Sequence, residues 1–492
     1  MTDTAISTQA SAPSRASHLL DLSRLAAARP FDARATLLVW LGLFALLLPT
    51  APSLLSDADM LWHLRTGQDI LATGQFPQVD SYSWTMAGKP WIAKEWLSQV
   101  FYALSQAAVG WAGVALLALA AACTAFTLVF AAVERRAGPY FALACTLALA
   151  FAANFHLVAR PHVLAWPVIA AFAVLLLDAA EQARAPRWIA VGLMVLWANL
   201  HGSFLFGFVL LPFFAWEALA RARENRVALA LRWLGFGAAC AAAAFVHPYG
   251  WRVVAAARDV LSLGPALSLI SEWKPQNFAG FGHFEFLLLA GIGAALLSGV
   301  KLPAPRVALL LALLHSALAH VRQETLALMI GALLLGAPVA ALRQNIEVFP
   351  REKFRAFAAA LCALLAFAGF QLAQQGPLAT PVDIAPKAAL DAARAAGAKG
   401  EVLNEDQFGG YLISQHVPTY ADGRAEFFGI MHYEQSLALA GKKPEMLAQL
   451  LADPRIGWTI LPARLPANAV LAASPEWKKV FADDVATVFV RR

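Results

Sequence analysis

Long apolar runs separated by short polar segments make up most of the chain between residues 36 and 375. A helix that crosses a membrane needs about 20 apolar residues, and fewer where neighbouring helices shield it. The pattern therefore predicts eleven membrane spans, several of them short. Their expected positions are near 36–55, 108–132, 139–156, 162–179, 188–200, 203–220, 233–247, 283–300, 307–320, 324–342 and 355–374.

The pattern changes after residue 376, where three prolines mark a linker. Shorter alternating stretches follow, which is typical of a small α/β domain. Helices are predicted at 385–398 and 444–452, and strands at 400–404, 458–461, 477–482 and 486–491. Gly409-Gly410-Tyr411 is predicted to be a turn into a short helix, because no phosphate-loop pattern follows it.

The predicted fold is mainly α, a polytopic helical membrane protein with a small extracytoplasmic α/β domain at its C-terminal end. Its expected parts are a disordered cytoplasmic tail (1–35), a transmembrane domain (36–375) with an outer loop at 56–98, and the α/β domain (376–492). The composition agrees, since 60% of residues are hydrophobic and 14% are charged, whereas soluble domains have about 25% charged residues.

The basic residues predict how the chain is oriented in the membrane. They fall in alternate loops, and the positive-inside rule places those loops in the cytoplasm with the N-terminus. The net charge of +6 is explained in this way, and no nucleic-acid partner is expected. The outer loop and the C-terminal domain are then periplasmic. The basic positions are Arg135, Arg136, Arg184, Arg187, Arg221, Arg223, Arg226, Arg232, Lys301, Arg306, Arg343, Arg351, Lys353 and Arg355.

The outer loop begins with a polar stretch that can carry chemistry. Residues 56–73 are predicted to form a short helix on the membrane surface, with Met60, Leu61, Leu64 and Leu71 as its apolar side. Helical spacing places Asp59 and His63 on one face.

Asp57 and Asp59 have three alternative roles. They can bind a divalent cation such as magnesium or manganese through oxygen ligands, or one can act as a general base. The structural alternative is helix capping, because Ser56 and Asp59 have the spacing of a capping box.

Other polar residues lie at the outer ends of predicted spans, where they are costly unless they face a cavity or one another. Arg160 and His162 are candidates for a phosphate clamp, or for headgroup anchoring. Arg322 is likewise a candidate for binding phosphate or for headgroup anchoring. A third possibility is an ion pair with Glu324.

Three further residues are candidate substrate ligands. Asn199 and His201 lie in a tight turn, where a structural hydrogen-bonding role is the alternative. Glu95 can orient a substrate, although the neighbouring tryptophans are also explained by anchoring at the membrane interface.

The run DADMLWHLRTGQDI…TGQFPQVDSYSWTMAGKPWIAKEWL resembles the first outer loop of bacterial integral-membrane glycosyltransferases of the GT-C superfamily. That superfamily includes dolichyl-phosphate-mannose mannosyltransferases and the aminoarabinose transferases of lipid A. Later segments resemble one branch of it, and the likeness covers nearly the whole chain after residue 36. Those segments are ARPHVLAW, LWANLHGSFLFG, HPYGW, SEWKPQNF and GGYLI…YADGRAEFFG.

The resemblance implies an inverting transfer of a sugar from a polyprenyl-phosphate donor to a lipid, glycan or protein acceptor. Asp57 and Asp59 match the acidic pair at the catalytic centre, with His63 in support. Arg160 and Arg322 match, by position, the basic residues that hold the donor phosphate. A metal is not required by this chemistry, and the C-terminal domain has no sugar-binding signature that would identify the acceptor.

The expected location is the bacterial inner membrane, in contact with its lipids. Two alternatives to an enzyme stay open. One is a transporter or flippase of a lipid-linked glycan, although such proteins favour inverted repeats and polar residues at the midplane. The other is a non-catalytic GT-C-like component of an envelope assembly.

Overall fold

The computed structural model describes residues 32–256, 271–342 and 353–492. Most of the predicted tail, together with Arg343 and Arg351, lies outside these described residues. Within them, eleven apolar helices coincide with the eleven predicted spans. These helices are α1 (Ala33–Leu47), α3 (Trp96–Ala137), α4 (Pro139–Ala153), α5 (Pro161–Glu181), α6 (Ile189–Leu200), α7 (Leu205–Arg221), α8 (Arg226–Ala244), α9 (His283–Ser298), α10 (Ala304–Ala319), α11 (Glu324–Ala340) and α12 (Lys353–Gln374).

The helical membrane class is confirmed. Seven of the described helices are long and apolar enough to cross a membrane, judged by length and composition alone. The other four are shorter apolar helices, as the sequence predicted. Helix α3 lies at the centre of the bundle and packs against α1, α4, α5 and α11.

Two helices begin well before their predicted starts. Helix α3 begins at Trp96 instead of residue 108, and it changes direction at Gly110, whose φ of 66° and ψ of −151° are not helical. A glycine adopts this backbone conformation without the steric cost of a side chain. Helix α8 includes Arg226 and Arg232, which the sequence placed in a loop.

The described helices alternate in direction, so their connections fall at two ends of the bundle. One end, here called the site end, holds residues 57–96, the ends of α4, α6, α8 and α10, and the C-terminal domain. Among the described residues, the basic positions at the ends of α3, α5 and α7 and at the start of α10 lie at the opposite end. Which side of a membrane the site end faces stays a prediction.

At the opposite end, two of these basic residues are buried instead of lying in loops. Arg136 and Arg306 are each 1% exposed. Arg136 binds Asp178 and Glu181, and Arg306 binds Glu181 and Glu217. This network ties α3, α5, α7 and α10 together, because a buried charge is stable only when it is paired.

Helix α2 (Asp59–Thr73) forms where the sequence predicted a short helix. It is buried on most sides, and Leu71, expected in its apolar face, is 47% exposed. Gly67 approaches the Gln99 carbonyl of α3, where an added β-carbon would lie 2.0 Å from the oxygen. The helix is therefore held between the membrane helices and the C-terminal domain.

The C-terminal domain contains the four predicted strands in one sheet of order β1-β2-β4-β3. Strands β1 and β2 are parallel and the other pairs are antiparallel. The strands are β1 (Glu401–Asn404), β2 (Ile456–Pro462), β3 (Trp477–Ala482) and β4 (Ala486–Arg491), and the helices are α13 (Lys387–Ala395), α14 (Asp406–Ser414), α15 (Ala425–Phe428), α16 (Ile430–Leu439), α17 (Pro444–Ala452) and α18 (Ala467–Ala473).

The turn predicted at Gly409-Gly410-Tyr411 is wrong, because these residues lie inside α14. The two glycines have a packing role. An added β-carbon at Gly410 would lie 2.2 Å from the Ala58 carbonyl oxygen, and one at Gly409 would lie 2.6 Å from Asp422 Cβ. Helix α14 can therefore pack closely on α2, which brings the C-terminal domain onto the acidic stretch.

Candidate active site

The site begins at the first turn of α2, which Asp57 shapes. Its Oδ1 accepts a hydrogen bond from the backbone N–H of Asp59 at 2.8 Å, satisfying an amide group at the helix start. The predicted capping box is wrong, because the Ser56 hydroxyl donates to the Ser53 carbonyl instead. Capping therefore uses one oxygen of Asp57 and leaves the other for the site.

Arg160, at the start of α5, binds both members of the acidic pair. Its Nη2 lies 2.8 Å from Asp59 Oδ2, and its Nη1 lies 3.4 Å from Asp57 Oδ2. The same Nη1 contacts Glu272, and the Tyr102 hydroxyl donates to the Arg160 carbonyl at 3.1 Å. One guanidinium thus joins three carboxylates, whereas the sequence predicted a phosphate or headgroup contact.

Glu272 extends this cluster to the second predicted cation. Its Oε2 lies 3.7 Å from Arg322 Nη1, and the Arg322 guanidinium lies 4.8 Å from the centre of the Trp273 ring. The predicted ion pair of Arg322 with Glu324 is wrong, because Glu324 contacts two histidines instead. Glu272 therefore bridges the two arginines.

The second oxygen of Asp59 faces the C-terminal domain. Asp59 Oδ1 accepts a hydrogen bond from the Trp62 indole at 3.1 Å. An added β-carbon at Gly423 would lie 1.6 Å from the same oxygen. The backbone at Gly423 therefore closes directly over the carboxylate, and no other residue type fits there without a shift.

A buried ion triad fixes the segment that carries Gly423. Arg424 donates to Asp422 from Nε at 2.7 Å and to Asp80 of the outer loop from Nη1 at 2.7 Å. All three residues are at most 2% exposed. Asp80, Asp422 and Arg424 therefore hold the segment that covers the site.

His63 belongs to a neighbouring cluster and not to the acidic pair. Its Nδ1 lies 3.1 Å from the Gln99 side-chain nitrogen, and its Nε2 lies 3.7 Å from Glu95 Oε2. The other oxygen of Glu95 lies 3.3 Å from His201 Nε2. His201 Nδ1 accepts from the Ser203 backbone N–H, so the neutral ring presents its Nε2–H to Glu95.

Two predicted substrate ligands occupy structural positions. The Asn199 side chain accepts from the Trp96 indole at 2.7 Å and donates to the carbonyls of Val195 and Val246. This is the hydrogen-bonding role that the sequence gave as the alternative. The His162 ring lies 6.1 Å from the His201 ring, measured between centroids, so it joins the Glu95 side of the site.

Burial and charge divide the acids and bases of the site into two groups. Burial raises the pKa of Asp59 well above its ordinary value, and Arg160 opposes only part of that shift. Burial alone would raise the pKa of Glu272, but Arg160 and Arg322 lower it. The Asp59 carboxylate therefore binds a proton more strongly than an exposed aspartate does, while Glu272 stays ionised.

The histidines near Glu95 are neutral. Burial, followed by the charge of Arg160, holds the pKa of His63 well below its usual range. Burial and the charge of Arg322 do the same for His201. Burial raises the pKa of Glu95, which the charge of Lys94 opposes in part.

Sequence reasoning missed three contributors. Glu272 received no role, although an acid between two apolar runs is itself a signal. Lys94 and Glu426 form an ion pair of 2.5 Å between the outer loop and the C-terminal domain. Neither that pair nor the contact at Gly423 has a local sequence signal, because their partners are over 300 residues apart.

Two solved structures are similar to this chain. One is a crystal structure of ArnT from Cupriavidus metallidurans in the apo state, with a TM-score of 0.45, 14% identity and coverage of 96% of each chain. The other is of ArnT from the same organism bound to undecaprenyl phosphate, with a TM-score of 0.32, 13% identity and coverage of 93% of this chain and 98% of that chain. No protein-family model matches the sequence, and the comparison with curated proteins finds no match.

Proposed function

We propose that this protein is a membrane glycosyltransferase that moves a sugar from a polyprenyl-phosphate donor to an acceptor hydroxyl at the site end. The observation that carries the proposal is the acidic pair Asp57 and Asp59, held by Arg160 where an apolar helix bundle meets a folded C-terminal domain. This arrangement combines a candidate base, fixed cations and a surface suited to a lipid substrate.

The position of the cluster fits a donor with a lipid tail. Arg160 and Arg322 lie at the starts of α5 and α11, where apolar helices end and polar loops begin. A phosphate placed there leaves its attached isoprenoid chain beside the helices. Undecaprenyl phosphate, which one of the similar structures binds, is a lipid of this class.

The two arginines can take over the charge of the donor phosphate. Glu272 contacts both guanidiniums and stays ionised, so it marks a position where an anion is stable. Guanidinium groups bind phosphate oxygens in the same forked geometry in which they bind carboxylates. A phosphate that replaces Glu272 would therefore meet two preformed cationic partners.

Asp59 is the proposed general base. The acceptor oxygen attacks the anomeric carbon of the donor sugar, and the bond from that carbon to the phosphate oxygen breaks. The leaving polyprenyl phosphate keeps the electron pair, and the acceptor proton passes to the Asp59 carboxylate. Because burial raises the pKa of Asp59, this carboxylate is a stronger base than an exposed aspartate. Asp57 and Arg160 orient it.

The contacts of Asp57 and Asp59 do not favour the predicted divalent cation at this pair. Every oxygen of Asp57 and Asp59 already contacts a donor, namely a backbone amide, the Trp62 indole or the Arg160 guanidinium. Magnesium or manganese at this pair would have to displace Arg160. We therefore propose that arginine side chains supply the positive charge that stabilises the leaving phosphate.

The buried charges at the opposite end do not favour the transporter alternative. Every guanidinium nitrogen of Arg136 and Arg306 donates to a carboxylate or to a backbone carbonyl. A saturated and fully packed ion network stabilises the bundle, whereas a transport path needs polar groups that face a cavity.

A transfer assay with purified protein tests the proposal. A panel of radiolabelled polyprenyl-phosphate sugars is mixed with an envelope lipid and glycan extract, and label that moves into the extract is counted. Asp57→Asn and Asp59→Asn should abolish transfer while the protein remains folded. Asp69→Asn is the matched control, because Asp69 lies on α2 but binds Arg65 and Tyr82 outside the cluster. Full activity of both cluster variants, or no transfer from any donor, would overturn the assignment.

A further inference from the structure

A second cluster of ligand-type side chains lies at the site end, outside the acidic pair. His156 follows α4, His283 begins α9 and Glu324 begins α11. The Nε2 atoms of His156 and His283 lie 3.3 Å and 3.1 Å from Glu324 Oε2. Each residue offers one ligand atom, and these atoms all lie within 4.8 Å of one another.

The Glu324 carboxylate is buried with an incomplete set of partners. Its exposed fraction is 0%, and its Oε1 has no hydrogen-bond partner among the described residues. The two histidines and the Gln276 amide, at 3.4 Å, all converge on Oε2. Arg322, two residues away, pairs with Glu272 instead. A buried carboxylate is costly unless a positive charge compensates it.

The spacing of the three groups fits a small transition-metal ion. Zinc binds imidazole nitrogen and carboxylate oxygen at about 2.0–2.2 Å, so two ligands of a tetrahedral site lie about 3.4 Å apart. The distances of 3.1 Å and 3.3 Å to Glu324 Oε2 are close to this value. Two imidazoles beside one carboxylate favour zinc and related ions over magnesium or calcium, which prefer oxygen ligands.

The ring of His283 is fixed in place by its neighbour. It stacks on the Phe155 ring with centroids 3.9 Å apart and an interplanar angle of 9°. A ligand that is held by packing loses little rotational freedom when a metal binds. The cluster is therefore partly organised before any ion arrives.

We propose that His156, His283 and Glu324 bind one zinc-class divalent ion that holds the loops of the candidate active site together. His156 is four residues before Arg160, and Glu324 is two residues after Arg322. Gln276 lies in the segment between Glu272 and α9. One ion would thus join the three segments that position both arginines and the bridging Glu272. Its role is structural and is independent of the proposed transfer reaction.

Metal analysis of the full-length protein tests this site. The protein is purified in detergent with an affinity tag that contains no histidine, stripped with EDTA, reloaded with zinc chloride and desalted. Elemental analysis should find about one zinc per chain. Reloading with cobalt(II) should give visible absorption bands of a tetrahedral complex.

Matched variants localise the ion. His156→Ala and His283→Ala should each lower bound zinc at least about tenfold and remove the cobalt bands. His315→Ala, at an exposed histidine of α10, should keep both signals. If the alanine variants do not fold, Glu324→Gln decides the matter, because it preserves shape but removes the charge. Wild-type protein without stoichiometric zinc after reloading, or variants that retain it, would overturn the proposal.

Discussion

Replacing Gly423 with alanine perturbs the contact between the C-terminal domain and Asp59. The new β-carbon would lie 1.6 Å from Asp59 Oδ1 and 2.7 Å from Asp59 Cγ. Non-bonded carbon atoms are in favourable contact at about 3.5–4.0 Å. Either the carboxylate or the backbone segment must therefore move by more than about 1 Å.

The carboxylate is expected to move, because its restraint is weaker. A rotation of Asp59 that keeps Oδ2 on Arg160 breaks only the hydrogen bond of Oδ1 with the Trp62 indole, at a cost of about 1 kcal/mol. Movement of the segment would disturb the buried pairs of Arg424 with Asp80 and Asp422, and breaking such pairs costs about 3–5 kcal/mol. The variant should therefore stay folded with a displaced base.

A displaced base has a larger effect on activity than on stability. Misplacement of a catalytic group by about 1 Å can lower the rate about 100-fold, which corresponds to about 2.7 kcal/mol in the barrier. Gly423→Ala should therefore transfer sugar about 100-fold more slowly than wild type. Its melting temperature in detergent should fall only slightly.

The measurement compares initial transfer rates and melting curves of the same preparations. Gly280→Ala is the control, because an added β-carbon there meets nothing within 4 Å. A folded Gly423→Ala protein with the wild-type rate would refute the reasoning, since the covering segment would then have no influence on Asp59.

Four further predictions follow from the charges. Transfer should fall as the pH is lowered through the raised pKa of Asp59, because only the ionised carboxylate accepts a proton; a pH–rate profile checks this. Because the pKa of Asp59 is raised in the folded state, the folded protein loses stability as the pH rises through that pKa. Asp59→Asn removes the buried charge, so its melting temperature at neutral pH should be no lower than that of wild type. Glu272→Gln should tighten the binding of polyprenyl phosphate, by about tenfold in a titration of the detergent-solubilised protein. Arg424→Met should destabilise the protein by about 3–5 kcal/mol, measured by limited proteolysis. Arg455→Met, at an exposed ion pair, should leave the stability nearly unchanged in the same assay.

The fold was predictable where the sequence pattern is local. Apolar runs located the eleven membrane-type helices of the described residues. Alternating stretches located the four strands described in the C-terminal domain, two of them with correct bounds at 477–482 and 486–491. Boundaries failed where helices continue beyond the apolar run, as at Trp96. Gly409 and Gly410 were misread because tertiary packing, and not a turn, requires their small size.

The site was predictable only in part, for a related reason. Asp57 and Asp59 are two residues apart in the sequence and were predicted as a pair, and the structure places Arg160 against both. His63 lies on α2 with Asp59, yet the two side chains have different partners. Asp59 contacts Arg160 and His63 contacts Glu95. Pairing depends on which helix ends meet, and a single sequence does not contain that information in any local pattern.

The charges of the cluster explain how an anionic donor can enter a site that is already rich in acids. Asp57, Asp59 and Glu272 share the positive charge of Arg160 and Arg322. An added phosphate would leave the site with excess negative charge, which is costly where water is scarce. Replacement of Glu272 by the phosphate avoids that cost, because the number of anions in contact with the arginines stays the same. Donor binding should therefore release Glu272 from both arginines, and the short Ser271–Trp273 turn that carries it is expected to move when the lipid binds.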